Sequence, residues 1–186
     1  MSFRIGALAA LVIVLTACAE KPELAIDGDT TPEEHESYKT EEGFFGWVVI
    51  VTDDWIEKVE HLPDGESPEY EIATEFEVGE TVVMLVFFAN PGIDEHGNAE
   101  IRCDLKSIRP DGSVSLDSKE VECHSGPSKP YGGNPEQMQL SPQIIEFVGE
   151  EDDLRGEWVM EVRLTDAVRD VSMNLTTRVT LNDAVE

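Results

Sequence analysis

Catalytic signatures are missing from this 186-residue chain. It holds no G-x-S-x-G, no H-E-x-x-H, no phosphate-binding P-loop and no G-x-G-x-x-G. Its four histidines, His35, His61, His96 and His124, lie in polar or turn-rich stretches, and none stands in a recognisable spacing from a serine or cysteine nucleophile. Acidic pairs are so common that they single out no catalytic dyad. The sequence gives no support for an enzyme. Cations are also scarce: 13 Lys and Arg face 40 Asp and Glu, for a formal net charge of −27. A surface of that sign repels DNA, RNA and anionic lipid, so nucleic-acid binding drops out first. It attracts cations and basic partners. Because the acids run along the whole chain, they read first as a solubilising coat. No internal repeat is visible. Cysteines number only 3, and no C-x-x-C spacing points to redox chemistry.

The first of those cysteines ends an apolar run. Arg4 supplies a positive start, Ile5 to Leu15 form eleven apolar residues, and Leu15-Thr16-Ala17-Cys18 closes the segment. A helix needs about 20 such residues to cross a hydrocarbon core, so a cleaved leader is favoured over a membrane span. The tetrapeptide resembles the bacterial lipoprotein signal. That resemblance implies removal of residues 1–17 and acylation of Cys18 as the mature N-terminus. An ordinary secretory signal, with Cys18 incidental, is the alternative. A buried methylene contributes about 0.8 kcal/mol, so one acyl chain holds weakly and several hold firmly. Ala19 follows the cysteine in place of the aspartate that retains such proteins in the inner membrane. By the same resemblance, the protein is expected in the outer membrane, lipid-anchored and facing the periplasm.

Residues 18–43 read as an acidic tether rich in Pro, Thr and Glu, with little to bury. His35 within it reads as solvated. The remaining cysteines, Cys103 and Cys123, then lie in a compartment that permits disulfides. A bridge between them closes a span of 20 residues and contributes roughly 3 kcal/mol in the chain-entropy model. A reactive or metal-binding pair is the alternative, although zinc needs further ligands.

From Phe44 to residue 182 the dominant period is two, as in half-buried strands. In Phe45-Gly46-Trp47-Val48-Val49-Ile50-Val51 the odd positions carry large apolar groups. Asp53 or Asp54 caps a short helix, DWIEKVEH, with Trp55, Ile56 and Val59 on its apolar face. Tyr70, Ile72 and Phe76 lead to Thr81–Phe88, which is apolar on both faces and reads as a central strand. Pro110-Asp111-Gly112-Ser113 reads as a turn. A regular hairpin around that turn sets Cys103 opposite Glu120, so a bridge to Cys123 demands a bulge or an edge loop. Trp158, Met160, Val162 and Leu164 alternate, as do Val171, Met173, Leu175, Thr177 and Val179 across the turn Asp166–Asp170. The acids at 150–153, Gly156 and Trp158 resemble the corner that opens strand F of immunoglobulin-like sandwiches. Together with Phe76-x-x-Gly79-Glu80, they resemble the immunoglobulin-like and macroglobulin-like domains of bacterial envelope proteins over residues 70–182. This implies an all-β fold, an antiparallel sandwich of about seven strands with one short helix near its start. The strict immunoglobulin disulfide between strands B and F has no counterpart.

Three groups of residues are candidate sites. The long loop from His124 to Gln139, dense in Pro, Gly and Asn, is a candidate binding surface carrying Lys129, Tyr131 and Asn134; a plain crossover is the alternative. Asp94, Asn98 and Glu100, around Gly97, offer oxygen ligands for calcium without the EF-hand register. Asp152 and Asp153 form a second acidic cluster. His96, His124 and Met138 are the donors that suit copper. The expected function is that of an outer-membrane lipoprotein whose sandwich engages another envelope protein or cell-wall polymer. A cation-binding lipoprotein is the alternative.

Overall fold

The computed structural model describes residues 2–7, 35–60, 70–128 and 138–184, with backbone alone at 2–7 and 58–60. The chain is all-β, and two sheets pack as a sandwich. The strands are β1 (Ser2–Ala7), β2 (Tyr38–Glu41), β3 (Phe44–Thr52), β4 (Glu75–Glu77), β5 (Thr81–Ala89), β6 (Asn98–Ile108), β7 (Val114–Pro127), β8 (Gln139–Leu140), β9 (Gln143–Val148), β10 (Gly156–Asp166) and β11 (Val171–Asn182); α1 spans Trp55–Glu60. One sheet runs β1-β9-β5-β3-β2, with β8 also on β5. The other runs β4-β11-β10-β6-β7. Among the described residues no helix is long and apolar enough to cross a membrane.

β5 shows why its sequence is apolar throughout. Val82, Met84, Val86 and Phe88 enter the main core between the sheets, while Val83, Leu85 and Phe87 enter a smaller cluster on the outer face of the first sheet. β3 divides the same way, and the expectation from its odd positions needs correcting. The even residues Phe44, Val48 and Ile50 face the main core, whereas Val49 and Val51 join the outer cluster with Trp47 packed against it. Gly46 hid this pattern. A Cβ there would stand 2.7 Å from Leu164 Cδ2 and from Met173 Sδ, so the even face leaves no room for a side chain where β3 crosses β10 and β11. The opposing sheet supplies Trp158, Met160, Val162, Leu164, Met173 and Leu175, all buried as their alternation requires.

Several expected boundaries shift. The folded region begins before Phe44: β2 pairs with β3, Tyr38 opposite Trp47 and Glu41 opposite Phe44. The intervening Glu42 and Gly43 both have positive φ, 47° and 81°, as a two-residue hairpin turn of the favoured twist needs. The polar sequence YKTE concealed this edge strand inside the expected tether; residues 18–34 lie outside the described part. The sheets are not wholly antiparallel, because β4 runs parallel to β11. Among the described residues the strands outnumber the expected seven, since short edge pieces such as β2, β4 and β8 leave little periodicity. In α1, Trp55 is buried but Ile56 is exposed; the side chain of Val59 lies outside the described part. Thr52 Oγ1 donates to Asp54 Oδ1 (2.5 Å) just ahead of that helix.

Candidate binding surface

Cys103 and Cys123 are joined in a disulfide, with Cα atoms 5.8 Å apart and both side chains buried. The irregular pairing of β6 with β7 makes this geometry reachable. The register slips between Ser107 and Ile108, between Cys103 and Leu105, and between Ile101 and Arg102. Cys103 therefore sits opposite Val121, not Glu120, and Cys123 falls between the partners of Arg102 and Ile101. Glu120 has φ of 53°, and its N–H donates to Asp104 Oδ1 (3.0 Å), which gives the displaced amide an acceptor.

Downstream of the disulfide, the candidate loop leaves β7 and returns through β8. Lys129, Tyr131 and Asn134 lie outside the described residues, but both roots of the loop are described. Gln139 Nε2 donates to Ser128 Oγ (3.0 Å) and so ties the roots together. Ser141, fully buried, donates its N–H to Val86 O (2.8 Å) and its hydroxyl to Cys123 O (2.9 Å), and its Oγ accepts the Gln143 N–H (3.1 Å). Ser141 thus fastens the return strand to β5 through its backbone N–H and to β7 through its hydroxyl. The sequence carried no sign of this role for Ser141.

An aromatic row flanks these roots. Trp47, Phe87 and Leu140 are successive partners across β3, β5 and β8. The Trp47 and Phe87 rings stack at 5.1 Å, and Tyr70 tilts against Phe87 at 5.5 Å. Burial pushes the Tyr70 phenol up to about 12. Trp47 and Tyr70 are only partly covered, and Met138, two residues before Leu140 in the chain, is exposed. These aromatics were legible as strand residues but not as neighbours of the loop. On the core side, His124 lies 5.4 Å from Phe88, with its Nε2 buried and unpartnered. Burial lowers its pKa; a hydrogen bond with the Gly126 backbone and the charge of Glu122 oppose that shift.

The acidic candidates are engaged within their own turns. Asp94 Oδ1 accepts the N–H groups of His96 and Asn98 (both 2.8 Å), which holds its carboxyl below the usual range. Glu100 Oε1 is taken by Arg102 (2.6 Å), whose other arm reaches Glu120 (2.7 Å) over a shallow surface hollow that Glu122 also lines. In the second cluster Asp153 Oδ2 accepts the Glu150 N–H (2.9 Å), and Asp152 is exposed. The Arg155 guanidinium fills that turn, donating to the carbonyls of Glu150, Glu151 and Asp153 and to Asp183. Among the described residues no group of three or more His, Cys, Asp or Glu is arranged to hold a metal ion. His96 is exposed and pairs with Glu95 (3.4 Å).

The end of the sandwich where β10 turns into β11, beside the 90–94 loop, is organised by Asp166, a carboxylate the sequence did not single out. It is fully buried and accepts the N–H groups of Gly92 (2.5 Å), Val168 (3.0 Å) and Arg169 (3.1 Å), locking the 90–94 loop to the β10–β11 turn.

No family model matches the chain, and no curated protein matches it. Two similar solved structures are a family 123 glycoside hydrolase from Clostridium perfringens and AvmM, described as catalysing macrocyclization in alchivemycin A biosynthesis. The first is 8% identical with a TM-score of 0.37, over 75% of this chain and 28% of that one. The second is 11% identical with a TM-score of 0.33, over 80% of this chain and 97% of that one. The chain thus spans little more than a quarter of the hydrolase it matches.

Proposed function

We propose that this protein is a non-catalytic lipoprotein of the bacterial envelope, anchored in the outer membrane through acylated Cys18. In this reading its immunoglobulin-like sandwich is an interaction module for another envelope protein or for cell-wall polymer, and the 128–139 loop makes the contact. The observation that carries the reading is the clamped base of that loop. A segment rich in Pro, Gly and Asn is held between the Ser128–Gln139 and Ser141–Cys123 hydrogen bonds, beside partly covered Trp47 and Tyr70. Loop roots fastened to the scaffold beside partly covered aromatic side chains suit recognition of a partner surface.

The test is crosslinking and pull-down of the lipidated protein from intact envelopes. A triple substitution, Lys129→Ala, Tyr131→Ala and Asn134→Ala, should abolish capture of the partner or polymer and leave folding intact. Undiminished capture would place recognition elsewhere. Cys18→Ser should end incorporation of radiolabelled fatty acid; labelling that persists in the variant would remove the lipoprotein part of the reading.

A further inference from the structure

β9 is hydrogen-bonded on both sides. β5 covers one, with Thr81 to Met84 opposite Val148 to Ile145. β1 covers the other in antiparallel register, Ser2 opposite Val148, Arg4 opposite Glu146 and Ala7 opposite Gln143. β1 lies wholly within residues 1–17, so maturation at Cys18 removes it. The inference rests on that part of the proposed function. β9 itself stays in place, because Ile145 and Phe147 are buried in the main core and its pairing with β5 is independent of the leader.

The matured protein is then left with a row of unpaired backbone groups along QIIEFV. Open edges are normally blunted by lysine, proline or a bulge. β9 has none of these between Gln143 and Val148, and its one charge is Glu146. The register of β1 shows what such an edge accepts: six extended residues, small or apolar, with a basic residue across from Glu146. A second copy of the chain is a poor occupant, since each matured copy, without Arg4, sets 12 basic residues against 40 acidic ones, a net charge of −28. The geometry points to β9 as a strand-addition site for an extended, antiparallel segment of a partner protein, apolar apart from a basic residue that pairs with Glu146. Backbone pairing supplies affinity in this mode, and the cross-strand charge supplies register.

The probe is a fluorescent peptide of sequence SFRIGA, titrated into detergent-solubilised mature lipoprotein. Intact mass first establishes the N-terminus. If residues 1–17 are still attached, the edge is never freed, and both the maturation reading and this inference fail. With Cys18 as the N-terminus, the peptide should bind saturably and slow hydrogen exchange of the β9 amides. A peptide with proline in place of the isoleucine should not bind. Changing the peptide arginine to glutamate should weaken binding about three- to tenfold, and Glu146→Lys in the protein should restore it. Absence of binding, binding without protection of β9, or concentration-dependent self-association through β9 would each overturn the inference while leaving the lipoprotein reading intact.

Discussion

Asp166 joins two loops through one side chain. It is buried and accepts from three backbone amides of two separate loops. Removing the carboxylate leaves those amides without an acceptor, so Asp166→Ala should lower unfolding stability by about 3 kcal/mol. Asp166→Asn, which keeps one acceptor oxygen, should cost less; equal stability of Asp166→Ala and wild type in urea melts would contradict the assignment. Gly46 imposes a steric limit. With Leu164 and Met173 at 2.7 Å from its would-be Cβ, Gly46→Ala should destabilise by about 1–3 kcal/mol through overpacking. His124 introduces a pH dependence. Burial lowers its folded-state pKa, so the unfolded chain takes up the proton first, and stability falls as pH drops below about 6.5. The loss levels off once the pH lies below the folded-state value. His124→Leu should flatten the decline, and calorimetry between pH 5 and 8 reads it directly.

At the scale of elements, the β6–β7 hairpin is the most distinctive. Its three register slips and the disulfide belong together, since a regular ladder would leave Cys123 out of reach of Cys103. Reduction should cost roughly 3 kcal/mol by the chain-entropy account, read as a lower denaturation midpoint in the presence of reductant. The need for a bulge was legible from the turn at Pro110–Ser113; its positions were not, because they depend on where Asp104 meets the displaced Glu120 amide. β10 and β11 were legible because buried residues alternate with less buried ones along both, broken only where Thr177 of β11 is half-buried. β3 misled because a glycine stands where its core-facing pattern requires the closest approach. β2 gave no signal, being too short and polar for a period to register, whereas in β4 Phe76 was legible but the parallel pairing with β11 was not. The Ser141 fastening and the Trp47–Phe87–Leu140 row arise from strands far apart in sequence, so no local pattern announces them.

For the whole molecule, charge is the dominant variable. Most cations of the second sheet's outer face are already matched: Arg102 with Glu100 and Glu120, Lys106 with Glu161, Lys119 with Asp104 and Asp117. The excess acid is therefore diffuse. Screening shrinks the Debye length from about 10 Å at 0.1 M salt to about 3 Å at 1 M, so thermal midpoints should rise with sodium chloride. Millimolar calcium at constant ionic strength should add nothing, since Asp94, Glu100 and Asp153 already serve internal donors. A saturable calcium shift, removed when these carboxylates become amides, would instead establish a cation site. The entry of the chain into the fold has a mechanical meaning. Glu36 O accepts the Thr176 N–H of β11 (2.7 Å), Ser37 O accepts the Val48 N–H of β3 (2.8 Å), and the Glu36 carboxylate pairs with Arg178. A tug arriving along the chain ahead of β2 is thus divided between β11 and β3, one strand of each sheet. Such a joint acts as a strain relief, because no single strand has to carry the load alone.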